Sequence, residues 1–429
     1  MNFEVKAKDI GHFDVAVSGG GIAGACAAIS AAREGAKVIL IERAGSLGGT
    51  LTEGFMPILL DSQNKGGIVR ELFAFLDIHG MTCARHGDRT DACGNRIPGI
   101  MVDTEGCKYF FDKAARESGA TLLFHSQVSG VKTSGGRIES LLVTTECGNY
   151  SLSADLFIDA TGNGTLSAMA GCEWECGDPH EGRPSPASMG VCVVGMPEKY
   201  NGTDTKEDKD AYGEMLSANG IYPSSTQGSC QKLPSLKTWS LGVNFQYGVS
   251  PDDIFALTNA TLDGRAEVFE IIEKHKRIPG YEGIYTAFTS SHIGVREGRR
   301  IFGEYRITDE DILEGRRFDD GICLVTFGVD VHKLKNDDTT DCKRGYKAIP
   351  YNIPYRALVA KGVDNLLLAG RCLSGDFYPH ASYRVMGNMA ASGEACGFAA
   401  ALCSKEKTAP RDFDGRRVKE FMTGKGYEV

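Results

Sequence analysis

The chain has 429 residues, 47 of them basic and 56 acidic, for a formal net charge of −9. That balance, with no basic cluster to reverse it, argues against a nucleic-acid partner, and the length leaves room for about two to three domains. The opening MNFEVKAKDIGHF has acidic residues and lacks an apolar core, so it reads as no secretory signal. Fourteen cysteines without such a signal point to free thiols in a reducing, cytoplasmic setting. Cys172 and Cys176 are spaced C-x-x-x-C rather than C-x-x-C, and no metal site is assigned.

The first elements carry the most information. Val15–Val17 reads as an apolar strand, followed by a turn with Gly19, Gly21 and Gly24 in G-x-G-x-x-G spacing. A small-residue helix covers Ala25–Glu34, and a second strand, Val38–Ile41, ends in Glu42. Each part suits a dinucleotide. Gly19 permits the tight turn, and Gly21 lets the backbone approach a pyrophosphate. Gly24 lets the helix pack on the strand, and the helix N-terminus, through Ile22 and Ala23, offers free N–H groups. Glu42 lies 18 positions after Gly24, where a carboxylate can reach ribose hydroxyls. The only long run of small and apolar residues, Val15–Ala32, is broken by these glycines and by serines, so no membrane span is expected.

Further along, Thr104–Ser118 has helical spacing of Cys107, Phe110, Phe111 and Ala114. Leu122–Val131 and Ile138–Thr145 read as strands of a meander. After the Gly148–Asn149 turn a third strand begins at Tyr150–Leu152, and a strand over 154–159 ends in Ala160-Thr161-Gly162. Residues 171–340 lose this texture; a strand at Trp239–Tyr247 and a helix at Pro251–His275 suggest an inserted α+β substrate domain. No second G-x-G-x-x-G precedes a helix. The tail returns to a buried strand, Asn365–Leu368, a turn at Gly370-Arg371, a loop over 375–384 and a small-residue helix at Val385–Cys403.

Arg43 and Gly48-Gly49 after Glu42 give E-R-x-x-x-x-G-G, which resembles the extended fingerprint of FAD-binding proteins of the glutathione-reductase type. Ile353-Pro354-Tyr355-Arg356, Ala369-Gly370-Arg371-Cys372, Arg384-Val385-Met386, Ile293 to Arg300, Gly303-Glu304-Tyr305 and Asp330-Val331-His332 resemble the bacterial family of FAD-dependent oxidoreductases, over about residues 14 to 403. The resemblance implies an α/β, Rossmann-like FAD-binding domain in two parts, 1–170 and 341–429, around the inserted 171–340. It implies FAD contacts at Gly48, Gly49, Thr50, Val128 (the adenine end), Ala160, Thr161, Gly162, Gly370 and Arg371. The closing helix adds Met386, Gly387, Asn388 and Met389. The chain departs from the usual T-H-E-A-type loop at Gly375–Arg384, which suggests a specialised substrate.

Hydride transfer from a carbon bearing a hydroxyl needs a base; the reverse needs an acid. His380, Tyr383 and Arg384 in the 375–384 loop, and His332 in D-V-H, are the catalytic candidates, with Arg384 suited to a carboxylate. Arg296, Arg299 and Arg300 read equally as a basic cluster or as a solvated face; His292 is a weaker candidate, and Cys372 reads as packing. The expected function is a FAD-dependent oxidoreductase (a dehydrogenase) acting on a sugar, hydroxy acid or other carboxylate. Reduction of an activated C=C bond and a non-catalytic flavin sensor or electron-transfer subunit are the alternatives. The electron acceptor and the presence of a homo-oligomer stay open.

Overall fold

The computed structural model describes residues 4–85, 99–225, 228–234, 237–335 and 347–429. Its centre is a parallel sheet. Strand β1 (Lys8–Ser18) pairs with β2 (Val38–Ile41) on one side and with Gly148–Asp159 on the other. Thr121–Leu123 extends the sheet beyond β2, and the closing strand Leu366–Leu368 extends it beyond Gly148–Asp159, all in parallel. Every residue of β2 and of the closing strand is buried, as strands covered on both faces require. The antiparallel strands Ser126–Ser134 and Arg137–Thr145 join the N-terminal half of Gly148–Asp159 as a meander.

Three sequence expectations shift at their edges. Leu122–Val131 is two strands, because His125 takes a left-handed conformation (φ 51°) between them. Residues 148–159 form one strand rather than two. The strand expected at Trp239–Tyr247 stops at Gly242, since the Asn244 amide replaces the ladder: Met189 N donates to Oδ1 (2.7 Å) and Nδ2 donates to Met189 O (3.0 Å).

Helix α1 (Ile22–Arg33) and the closing helix Met386–Glu406 cross over the sheet at close range. Small residues permit this. A Cβ on Gly393 would lie 2.0 Å from Ala23 O, and one on Gly397 2.2 Å from Ala27 O. The almost wholly buried, alanine-rich composition of both helices follows from that contact.

A second hydrophobic core is built from residues between Ala187 and Val295. Its sheet is antiparallel, in the order Ser229–Lys232, Trp239–Gly242, Val191–Val194, Tyr285–Thr289, with helices Lys206–Ala218 and Ile254–His275. Residues 301–334, read from sequence as part of the inserted segment, contribute Ile301, Ile307, Ile312, Ile322 and Val331 to the first core. The expected boundary at 340/341 lies outside the described residues. No helix among the described residues is long and apolar enough to cross a membrane.

Candidate functional site

The carboxyl ends of the parallel strands converge on the glycine turn. Gly19 N donates to Ile41 O, Ala160 N to Ser18 O, and Ala369 N to Asp159 O. Ligands of open parallel sheets bind at such a point. Gly19 has φ 97°, and a Cβ there would lie 2.5 Å from Ala160 O. A Cβ on Gly24 would lie 1.8 Å from Gly19 O. Gly21 differs: nothing stands within 4 Å of its Cβ position. The glycines on either side are therefore required by the protein's own backbone, whereas Gly21 opens onto space at the start of α1. That is the cradle a pyrophosphate needs.

Glu42 is buried, and both its oxygens accept backbone N–H groups, from Gly20 (2.5 Å) and Ala44 (2.7 Å). It holds the shape of the turn, and each oxygen retains a lone pair for a ribose hydroxyl. Gly48 and Gly49 bring the following loop onto the turn: Gly48 N donates to Gly20 O, and a Cβ on Gly49 would lie 2.8 Å from Gly21 Cα. Beyond Glu42, a cleft of about 490 Å³ is lined by Arg43 and by Gln127 and Ser129, the two neighbours of Val128. The expected adenine end of the cofactor therefore has room.

The Ala160-Thr161-Gly162 turn is fixed by Asp159, which the sequence reading passed over. Its fully buried carboxylate accepts Thr161 N (3.0 Å), Thr161 Oγ1 (2.7 Å), Ser167 N (2.8 Å) and Ser167 Oγ (2.7 Å). The Asp-x-Thr spacing at a strand end is the signal that marks it. Arg371 lies against Gly162 and donates to Asn163 Oδ1 (2.7 Å). Burial, with Arg384 and Arg43 nearby, brings its pKa down to about 10, so it stays cationic at pH 7. At the N-terminus of the closing helix, the fully buried Asn388 side chain has no protein partner for either Oδ1 or Nδ2. An orphaned amide at a helix start is what a polar ligand ring would satisfy. Gly387 has a different reason from the one expected: a Cβ there would lie 2.2 Å from Asp61 O, so it accommodates the protein's own backbone. Gly370 likewise packs on Ala23, and its N–H donates to Ser392 Oγ (2.9 Å).

The catalytic candidates divide. Residues 377–383 form a short helix rather than a loop, and it turns His380 and Tyr383 inward. Tyr383 is fully buried, packs on Gly375 and donates its hydroxyl to Leu373 O (3.1 Å); burial pushes its pKa far up. His380 is also buried. Desolvation and the cations Arg300, Arg384 and Arg371 hold it neutral. Neither side chain reaches accessible space; the Tyr383 hydroxyl is satisfied by Leu373 O, whereas His380 Nε2 has no hydrogen-bond partner among the described residues. Cys372 is buried with its thiol toward Asp159 O (3.4 Å).

Arg384 and His332, in contrast, meet. Arg384 Nη2 donates to Asp330 O (2.9 Å), and His332 Nε2 faces Asp330 Oδ2 at 3.4 Å. Arg296 completes the group. It stacks over Phe245 (4.7 Å) and donates to Pro186 O (2.6 Å) and Ser188 Oγ (2.7 Å). Phe245 also packs on the His332 ring (5.0 Å). Among the described residues no carboxylate lies within 4 Å of the Arg296 guanidinium. Burial and Arg384 lower its pKa to about 10, and burial and Arg296 lower that of His332 to about 4. At neutral pH this group carries two cations, one carboxylate and a neutral imidazole. His292, beside Glu53, Arg43 and Arg371 rather than in this group, is held at about 4 by burial and by the two arginines, with Glu53 opposing. Arg299 and Arg300 point elsewhere: Arg300 is buried in ion pairs with Glu297 and Glu175, and Arg299 covers Trp174. The three arginines do not form one cluster.

The described residues contain no group of three or more His, Cys, Asp or Glu arranged to hold a metal. No curated protein sequence matches the chain. Among solved structures, it is similar to CabE, an aromatic hydroxylase from angucycline biosynthesis (14% identity, 96% of this chain and 68% of that one, TM-score 0.53). It is also similar to the flavin-dependent brominase Bmp2 (14% identity, 96% and 84%, TM-score 0.51). At such identities the likeness concerns the fold alone. The family described as FAD dependent oxidoreductase matches residues 14–422. The cradle and the fixed Ala-Thr-Gly turn stand at the ends of the parallel strands, and with the family match over residues 14–422 the chain belongs to this family of FAD-dependent enzymes.

Proposed function

We propose that this enzyme, with a FAD domain of the glutathione-reductase type, oxidises the CH–OH group of a small hydroxycarboxylate. The observation that carries the reading is the convergence of Arg296, Arg384, Asp330 and His332, with an excess of positive charge and one neutral base. The FAD contacts expected from sequence, Gly21, Glu42, Gly48, Gly49, Thr161, Arg371 and Asn388 among them, hold the cofactor in this reading. Bound FAD supplies the two-electron acceptor. Arg384 and Arg296 bind and orient the substrate carboxylate, Arg384 being anchored on Asp330 and Arg296 on Pro186 O and Ser188. Asp330 takes the Nε2–H of His332, which leaves the Nδ1 lone pair to accept the hydroxyl proton. The imidazolium so formed is stabilised by Asp330, and a bound carboxylate raises the His332 pKa toward the working range. Phe245 shields the imidazole from water on one face.

Reduction of an activated C=C bond fits less well, since a neutral His332 whose N–H is held by Asp330 is a poor proton donor. The test is anaerobic titration of the FAD-loaded enzyme with 2-hydroxy acids, their amides, neutral sugars and, after chemical reduction, enoates. Bleaching by hydroxy acids and not by the amides supports the proposal. Equal bleaching by neutral sugars, or reoxidation by enoates alone, overturns it.

A further inference from the structure

Helix Ile254–His275 belongs to the second core, yet its outer face is apolar. Phe255 is 78% exposed, Leu262 56% and Phe269 68%. They stand at i, i+7 and i+14, a heptad repeat that keeps them on one narrow stripe about 21 Å long. Exposed Thr258 and Ala266 lie along the same stripe. The stripe is symmetric about Leu262: Phe255 and Phe269 are each seven residues away, and Thr258 and Ala266 each four. Such a sequence is complementary to itself when two copies of the helix run antiparallel.

We propose that two copies of this chain form a two-fold dimer through this helix, with Leu262 on the axis and Phe255 of each copy against Phe269 of the other. Closed symmetry of this kind uses one patch twice. Charge agrees with the antiparallel sense. The N-terminal end carries Asp252 and Asp253, and at the C-terminal end Lys274 and Lys276 pair with Glu270 and Glu273 of the same helix, so that Arg277 leaves that end with a net charge of +1. An acidic end thus meets a basic one, and the two helix dipoles oppose favourably. Size agrees as well. Two exposed phenylalanines, a leucine and the neighbouring Ile254 (67% exposed) present on the order of 400 Å² per copy. Two copies together bring roughly 800 Å² of apolar surface, the larger part of the ~1,200 Å² of a small specific interface. A lipid surface is the poorer occupant, because residues 252–277 hold six acidic against four basic side chains.

Sedimentation of the FAD-loaded protein tests this. The expected mass is twice the 46.1 kDa of one chain. Leu262→Glu sets two carboxylates face to face on the axis and is expected to raise the dimer dissociation constant roughly 100-fold or more, with flavin content and secondary structure by circular dichroism unchanged. Leu262→Cys is expected to give a disulfide-linked dimer under mild oxidation, beyond any seen in the parent; Ile78→Cys, exposed on another surface, is not. A monomer at all concentrations, a dimer indifferent to Leu262→Glu, or a monomer that binds phosphatidylglycerol vesicles through this helix each overturns the proposal.

Discussion

The glycine cradle and the arginine–histidine cluster differ in how they are built. The cradle is local. Gly19, Gly21, Gly24 and Glu42 fall within 24 consecutive residues, and their constraint is the shape of the backbone itself. The cluster is assembled from Phe245, Arg296, Asp330–His332 and Arg384, which lie on separate segments of the chain. A cofactor shared by many enzymes is bound by one short motif, whereas a particular substrate is met by side chains that only the tertiary fold brings together.

Substitutions can break this contrast, and the largest effects belong to the cradle. Gly24→Val places its Cβ inside Gly19 O and is expected to cost at least ~3 kcal/mol of stability along with all flavin, measured by denaturation and absorbance. Gly21→Val meets nothing in the protein; apo-protein stability is expected to stay within about 1 kcal/mol while FAD affinity falls by a factor on the order of 100. A Gly21→Val protein that keeps full flavin would show that the open space is not the pyrophosphate site.

The cluster comes next. Arg384→Gln leaves Asp330 with less positive charge and removes one carboxylate ligand; kcat/KM for a hydroxycarboxylate is expected to fall roughly 100-fold or more, with flavin content unchanged. His332 is a base only when neutral. With its pKa near 4 in the free enzyme, kcat/KM for flavin reduction is expected to be flat from pH 6 to 8 and to fall as pH drops through the His332 pKa. In His332→Asn the residual rate should lose that acid limb. The smallest effect is expected from Tyr383→Phe: about 1 kcal/mol of stability from the lost bond to Leu373 O, and an unchanged rate of flavin reduction.

Legibility in the sequence follows the same division. The β1–turn–α1–β2 unit, the meander and the closing strand and helix were readable because periodicity and glycine placement act locally. The inward turn of His380 and Tyr383 was not read, although Asp376 immediately before an apolar segment is a helix-start signal. Gly387 was read for the cofactor, but its tight neighbour, the carbonyl of Asp61, is more than 300 residues away in the chain. The meeting of Arg296 with Arg384 and His332 leaves no periodic trace, and the resemblance of each motif alone did not say that they face one another. Arg299 and Arg300 shared the sequence signal of Arg296 and have other partners.

The most direct test of the account is the visible spectrum of the FAD-loaded enzyme titrated anaerobically with a non-oxidisable carboxylate, in wild type and in Arg296→Gln and Arg384→Gln. Binding beside the flavin should perturb its absorption bands with a saturable dependence in the wild type, and each arginine variant should weaken that dependence at least ~10-fold, with the matching amide inert throughout. A spectral response that is identical in all three proteins, or equal for the amide, would contradict the placement of an anionic substrate between these arginines and the flavin.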